Sequence, residues 1–117
     1  MVKAQWQTLP FNESVGFPQS SDIVVGRFLF RFIWKASYTK TLDGSSDSEP
    51  SIDLMVICVT DRAIVFNGRL RVGNIYVAKS QQFSRSWFLI KPFSLKLGEI
   101  DVRVMSSLTI ADGIAFG

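Results

Sequence analysis

The stretch Gly26–Lys35, GRFLFRFIWK, decides the fold. From Arg27 onward it alternates without a break. Phe28, Phe30, Phe32 and Trp34 fall on one parity; Arg27, Leu29, Arg31, Ile33 and Lys35 fall on the other. Successive side chains of a β-strand point to opposite faces, so a period of two predicts a strand whose aromatic face lies in the core. The second face mixes cations with Leu29 and Ile33 and reads as half-exposed or in touch with a partner.

Working outward, Ile52–Val59 is a nearly continuous apolar run that predicts a second strand. Between the two, Thr41–Pro50 is a polar loop carrying three acids, a Gly and a Pro. Thr60–Arg62 turns the chain into Ala63–Phe66, and Asn67-Gly68 then predicts a tight hairpin turn, because both residues tolerate positive φ. Arg69–Val72 alternates again, Gly73-Asn74 predicts another turn, and Ile75–Ala78 another short strand. After the polar connection Lys79–Ser86, Trp87–Ile90 and the stretch around Leu95 read as extended. Pro92 marks an edge or a bulge there, since it has no N–H to give to a ladder. Glu99–Met105 alternates with Ile100, Val102 and Val104 on one parity, and Leu108–Ile110 either extends it or forms a last strand. Asp112-Gly113 precedes a short apolar tail.

No ten-residue segment has a helical period, and the chain has no repeat or heptad. The expectation is an all-β protein, a small barrel or sandwich of about seven to eight short, mostly antiparallel strands. Residues 22–117 form its single β domain. Residues 1–21, with Pro10, Gly16 and Pro18, read as an extended N-terminal arm. Its Trp6, Leu9, Phe11 and Phe17 are expected to pack on their own core or on a neighbour.

Composition narrows the function. At 47% hydrophobic and 20% charged, the 117 residues bury enough apolar surface to offset chain entropy, which excludes disorder. A mean hydropathy of +0.21 is high for a monomer of this size and suggests apolar surface buried against other chains. There is no His and one Cys, so the chain has no Ser-His-Asp or Cys-His pair, no His-ligated metal, no disulfide framework and no Cys-rich zinc site of its own. No cofactor is expected. The longest charge-free stretch, Ala4–Asn12, has nine residues against the roughly 20 of a spanning helix, and Gln5, Gln7, Pro10 and Asn12 break up any signal-like run. Membrane insertion is not expected, and assembly in a cytoplasm is.

Charge is unevenly distributed. Arg62–Arg103 holds eight basic residues and two acids, and the rest of the chain five basic and eight acidic. Arg69 and Arg71, with Phe66, Tyr76, Phe83 and Trp87 nearby in sequence, match the cation-plus-aromatic groove of an oligonucleotide-binding barrel. Solvated strand faces and protein-partner contacts account for the same residues at a net charge of only +3, and this second reading is preferred. Asp22, Asp53, Asp61, Glu99 and Asp101 are weighed as an acid–base pair for sugar hydrolysis, but acids are ordinary at turns and on polar strand faces, and no enzyme activity is expected. Cys58, inside an apolar run with nothing basic beside it, reads as a small buried hydrophobe. Gly68, Gly73 and Asn74 lack the spacing of a phosphate loop and read as turn residues.

One layout is familiar. GRFLFRFIW (Gly26–Trp34) is followed by a variable polar loop, then by the acid-bearing SIDLMVICV (Ser51–Val59). The chain turns through Thr60–Arg62 and reaches NGRLRVGNIYV (Asn67–Val77). In order and spacing, over residues 22–78 with a continuation through Leu89–Leu97, this resembles the small baseplate plug proteins of contractile-tailed, cyanophage-type bacteriophages. The resemblance implies a structural virion component, a compact β domain made in the host cytoplasm. It would sit at the baseplate centre and plug the hub or tube lumen through contacts with other baseplate, hub and tube proteins. It carries no catalytic motif. The long acidic loop and the aromatic arm depart from the short forms of that family. An acidic lumen would attract the basic half of such a plug. Candidate partner-binding residues are Trp6, Phe11, Phe17, Arg69, Arg71, Trp87 and Lys91, and a small nucleic-acid-binding β-barrel is the alternative function.

Overall fold

The computed structural model describes residues 6–37, 51–80 and 86–106. Eight strands follow in chain order: β1 (Gln7–Thr8), β2 (Gln19–Val25), β3 (Phe28–Ser37), β4 (Ser51–Cys58), β5 (Ala63–Arg69), β6 (Tyr76–Lys79), β7 (Ser86–Ser94) and β8 (Asp101–Ser106). They form two four-stranded sheets, ordered β1-β8-β7-β6 and β2-β3-β4-β5, with every pairing antiparallel. Neither sheet closes into a barrel, so of the two expected architectures the molecule takes the sandwich.

The aromatic parity of β3 makes the core. Phe30, Phe32 and Trp34 have no exposure, and Ile52, Leu54, Val56 and Cys58 of β4 are buried beside them in strict alternation. Across the sandwich Phe30 meets Phe88 edge-on at 4.9 Å and Phe32 meets Phe88 at 5.1 Å. Edge-to-face pairs at this separation add to the area they bury by roughly 0.5–1.5 kcal/mol each. The seam between the sheets is therefore largely β3 against β7.

Residues 6–21 are part of this body. β1 pairs with β8, the Leu9 N–H donates to the Val102 carbonyl at 2.8 Å, and the Leu9 side chain is buried. The Trp34 indole N–H donates to the Pro10 carbonyl at 3.2 Å. Gln19 then ties the 12–18 loop: its carbonyl accepts from the Asn12 N–H, and its amide donates to the Asn12 and Gly16 carbonyls. β2 begins at Gln19, so the boundary drawn from composition at residue 21 falls inside a strand.

Three β-bulges explain where sequence parity fails. The register shifts between Ala78 and Lys79 opposite Trp87, between Pro92 and Ser94 around Phe93, and between Val56 and Ile57 opposite Val65. A bulge sets two residues against one and re-aims the side chains beside it; Trp87 and Phe88 are consequently both buried although adjacent. Pro92 lies in an interior strand, yet β6 ends opposite Ile90, so nothing on that side asks Pro92 for an N–H.

Asn67-Gly68 is not a turn. β5 runs through it, pairing Asn67 with Met55 and Gly68 with Leu54. The Phe66 ring lies over Gly68, its tip 3.4 Å from where a Cβ would stand, and supplies the cover that glycine lacks. The alternating Arg69–Val72 stretch is correspondingly cut short, with only Arg69 in the strand. The expected turn at Gly73 does form: Gly73 has φ +92°, and the Asn74 N–H donates to the Arg71 carbonyl at 3.3 Å. The polar loop Thr41–Pro50, Phe83, Leu108–Ile110 and the tail from Asp112 lie outside the described residues.

Candidate functional site

Each sheet has one face in the core, and the outer face of β2-β3-β4-β5 is unusually apolar. Register sets its side chains in rows across the strands: Val24 beside Leu29; Asp22, Arg31, Ile57 and Ile64; Ser20, Ile33, Met55 and Asn67; Lys35, Asp53 and Arg69. Leu29, Ile33, Met55 and Ile57 are half-buried in the middle, and Val24 and Ile64, 67% and 50% exposed, stand at its two edges. A solvated antiparallel sheet alternates apolar-in with polar-out; here two of the four outward positions of β4 (Ser51, Asp53, Met55 and Ile57) are large apolar side chains. Arg31 and Asp22 bridge the β2 side through two hydrogen bonds, 2.9 and 3.2 Å. The Arg31 guanidinium holds the Asp22 carboxyl below its ordinary range, and Asp22 in turn raises Arg31.

A second feature is a basic cleft of about 740 Å³ where both sheets end. Ser51 opens β4, Arg69 closes β5, Arg71 stands in the following turn, and Phe93, Leu95 and Lys96 come from the end of β7 and beyond. The Tyr76 hydroxyl accepts the Arg71 N–H at 2.8 Å and fixes the turn that carries this arginine. A third hollow, about 580 Å³, is lined mainly by Phe11, Phe17, Pro18, Ala36 and Leu97, with Lys35 and Glu13 also on its wall.

The seven residues singled out from sequence do not form one site. Arg69 and Arg71 share the basic cleft. Lys91 lies on the outer face of the other sheet, its Nζ 5.0 Å from the Phe93 ring centre. Trp6 is half-buried just ahead of β1. Phe11 and Phe17 stack against each other at 5.1 Å, and Phe11 meets Trp34 at 4.9 Å, so both cover the molecule's own core. Trp87 must be withdrawn as a surface anchor: it is 4% exposed, packed against Phe28 and Phe30, because the bulge turns it inward. Among the described residues the stacking groove expected around Arg69 and Arg71 is likewise not assembled, and Phe83, its fourth expected ring, lies outside them. Phe66 and Tyr76 pack on each other and on the core, and Trp87 is inside it.

Three of the five weighed carboxylates are engaged by arginines: Asp22 with Arg31, Asp53 with Arg69 at 3.6 Å, and Asp101 with Arg103 at 3.0 Å, where Asp101 raises the Arg103 guanidinium; Asp61 and Glu99 are exposed. Cys58 is buried. Among the described residues no cluster of three His, Cys, Asp or Glu side chains could hold a metal, and no described helix is long and apolar enough to cross a membrane. Lys96, and Met55 and Ile57 as the β4 half of the apolar patch, are what sequence reading passed over. Lys96 is brought to Arg71 from the other sheet, which no local pattern signals, whereas the β3 half, Leu29 and Ile33, was visible as the mixed parity of residues 27–35. Compared with models of known families, with curated proteins and with solved structures, the chain matches none.

Proposed function

We propose that the protein is a structural component of a larger assembly, a plug-type constituent of a contractile phage tail baseplate held by protein–protein contacts. The observation that carries this is the apolar outer face of β2-β3-β4-β5, centred on Ile33, Met55 and Ile57. Covering the exposed halves of Leu29, Ile33, Met55 and Ile57 would contribute roughly 1 kcal/mol each, since full burial of such a side chain is worth about 1.5–3 kcal/mol. That total is at the low end of the roughly 4–15 kcal/mol lost in association. The face alone therefore gives weak binding, and stable seating needs further contacts around it, as in a position enclosed by several chains. The order of strands along the sequence, which resembles the baseplate plugs, supports the same assignment.

Nucleic-acid binding draws on the cations of the cleft, but of its expected stacking aromatics Phe66, Tyr76 and Trp87 are committed to the core. Antibody detection of this chain in purified tail particles tests the proposal. It is expected at the baseplate end, and lost when Ile33→Thr, Met55→Thr and Ile57→Thr are combined in a variant that still folds. Absence of the native chain from the particles contradicts it.

A further inference from the structure

The basic cleft meets the outer face of β2-β3-β4-β5 only at its end, where Ser51 and Arg69 belong to both, and from its chemistry we infer that it docks an acidic peptide segment of a partner protein. Three cationic side chains, Arg69, Arg71 and Lys96, converge on one open recess of about 740 Å³. Among the described residues Arg71 and Lys96 have no acidic partner, and Arg69 has only the Asp53 contact, through Nε at 3.6 Å. A guanidinium has five N–H donors in a fixed fork that matches a carboxylate, so most of the donor capacity of both arginines is unspent. The exposed Val72 and the half-buried Leu95 contribute apolar wall beside the cations, which suits a peptide alternating carboxylates with apolar side chains.

The same features argue against a nucleic-acid strand. Sequence-tolerant binding of single strands needs aromatic rings free to stack on bases along a charged track. The one ring in the cleft, Phe93, already has Arg103 at 4.3 Å and Lys91 at 5.0 Å from its centre, and Arg103 is held there by Asp101. The recess is a pocket at the end of the sandwich, where a few carboxylates are matched more closely than a continuous phosphate backbone. Because the Arg71 main chain is fixed by the Tyr76 hydroxyl, one of the cations is presented on a preset turn.

The test uses the full chain and a fluorescein-labelled eight-residue peptide with Glu at alternate positions. Its Gln counterpart and an eight-nucleotide oligo-dT serve as comparison probes. Anisotropy is expected to rise with the Glu peptide, to weaken steeply between low and high salt, and to stay flat with the Gln peptide. Arg71→Glu with Lys96→Glu should weaken Glu-peptide binding at least tenfold without moving the thermal midpoint. Arg27→Glu with Lys79→Glu, the same change in net charge elsewhere, should leave it within twofold. No binding of the Glu peptide by the native chain overturns the inference. So does equal weakening by the two charge reversals, or tighter binding of oligo-dT that depends on Arg71 and Lys96.

Discussion

Phe30 of β3 and Phe88 of β7 meet at 4.9 Å with their ring planes 87° apart, and neither side chain has any solvent exposure. This pair joins the two sheets at the centre of the molecule. Phe88 also contacts Phe32, so one side chain from the second sheet is clasped by two from the first. Replacing Phe30 or Phe88 by Ala should each cost about 3–5 kcal/mol. The double variant should lose less than the sum, by roughly 0.5–3 kcal/mol, because the residues are in contact. Urea unfolding of the four proteins in the cycle measures it.

The 71–74 turn depends on one glycine. Gly73 has φ +92°, with open space where its Cβ would stand, so the penalty of Gly73→Ala comes from the backbone and not from crowding. It should destabilise by about 1 kcal/mol or more, read from the denaturation midpoint. Gly68→Ala serves as the contrast. Its φ is not in the left-handed region and its nearest neighbour, the Phe66 ring, is at ordinary contact distance, so a smaller effect is expected.

Acid should weaken the β2–β3 edge. Asp22 is held below its ordinary range chiefly by the Arg31 hydrogen bonds. A carboxyl depressed in the folded state contributes stability above its unfolded value, near pH 3.9, and that contribution disappears as pH falls through the lower folded value. Both partners are well solvated, which keeps the effect below about 1 kcal/mol. Asp22→Asn should therefore lose stability relative to the native chain at pH 7 and converge on it near pH 2, in urea midpoints taken across that range.

The parts of the fold that were legible are those where side-chain parity alone sets burial. Phe30, Phe32 and Trp34, or Ile52, Leu54 and Val56, take the core positions that a period of two assigns them. Local signals were overruled where a long-range neighbour intervened. Asn67-Gly68 has the composition of a turn, but β4 offers a pairing partner and Phe66 covers the glycine. Trp87 has the parity of an outward residue until a bulge re-aims it. For the candidate surfaces, Arg69 and Arg71 were visible as neighbours in sequence, whereas Lys96 joins them only because both sheets end at the same place.

The outer-face row should be dispensable for folding. Ile33, Met55 and Ile57 are half-buried on a solvent-facing side, and threonine keeps the β-branching of the two isoleucines and brings it to position 55, a shape that strands favour. The triple Thr variant should unfold cooperatively, within about 2 kcal/mol of the native chain, and be more soluble. A molten product would mean that the row is core.

The central claim, that this face is covered by another protein in the working assembly, is tested most directly by photo-crosslinking. A benzophenone amino acid placed at Ile57 in the native host should give covalent products with a different chain. The same group at Lys79, on the edge of the other sheet, should give markedly fewer. Abundant crosslinks from position 79 with none from Ile57 would contradict the claim and return the apolar row to ordinary surface.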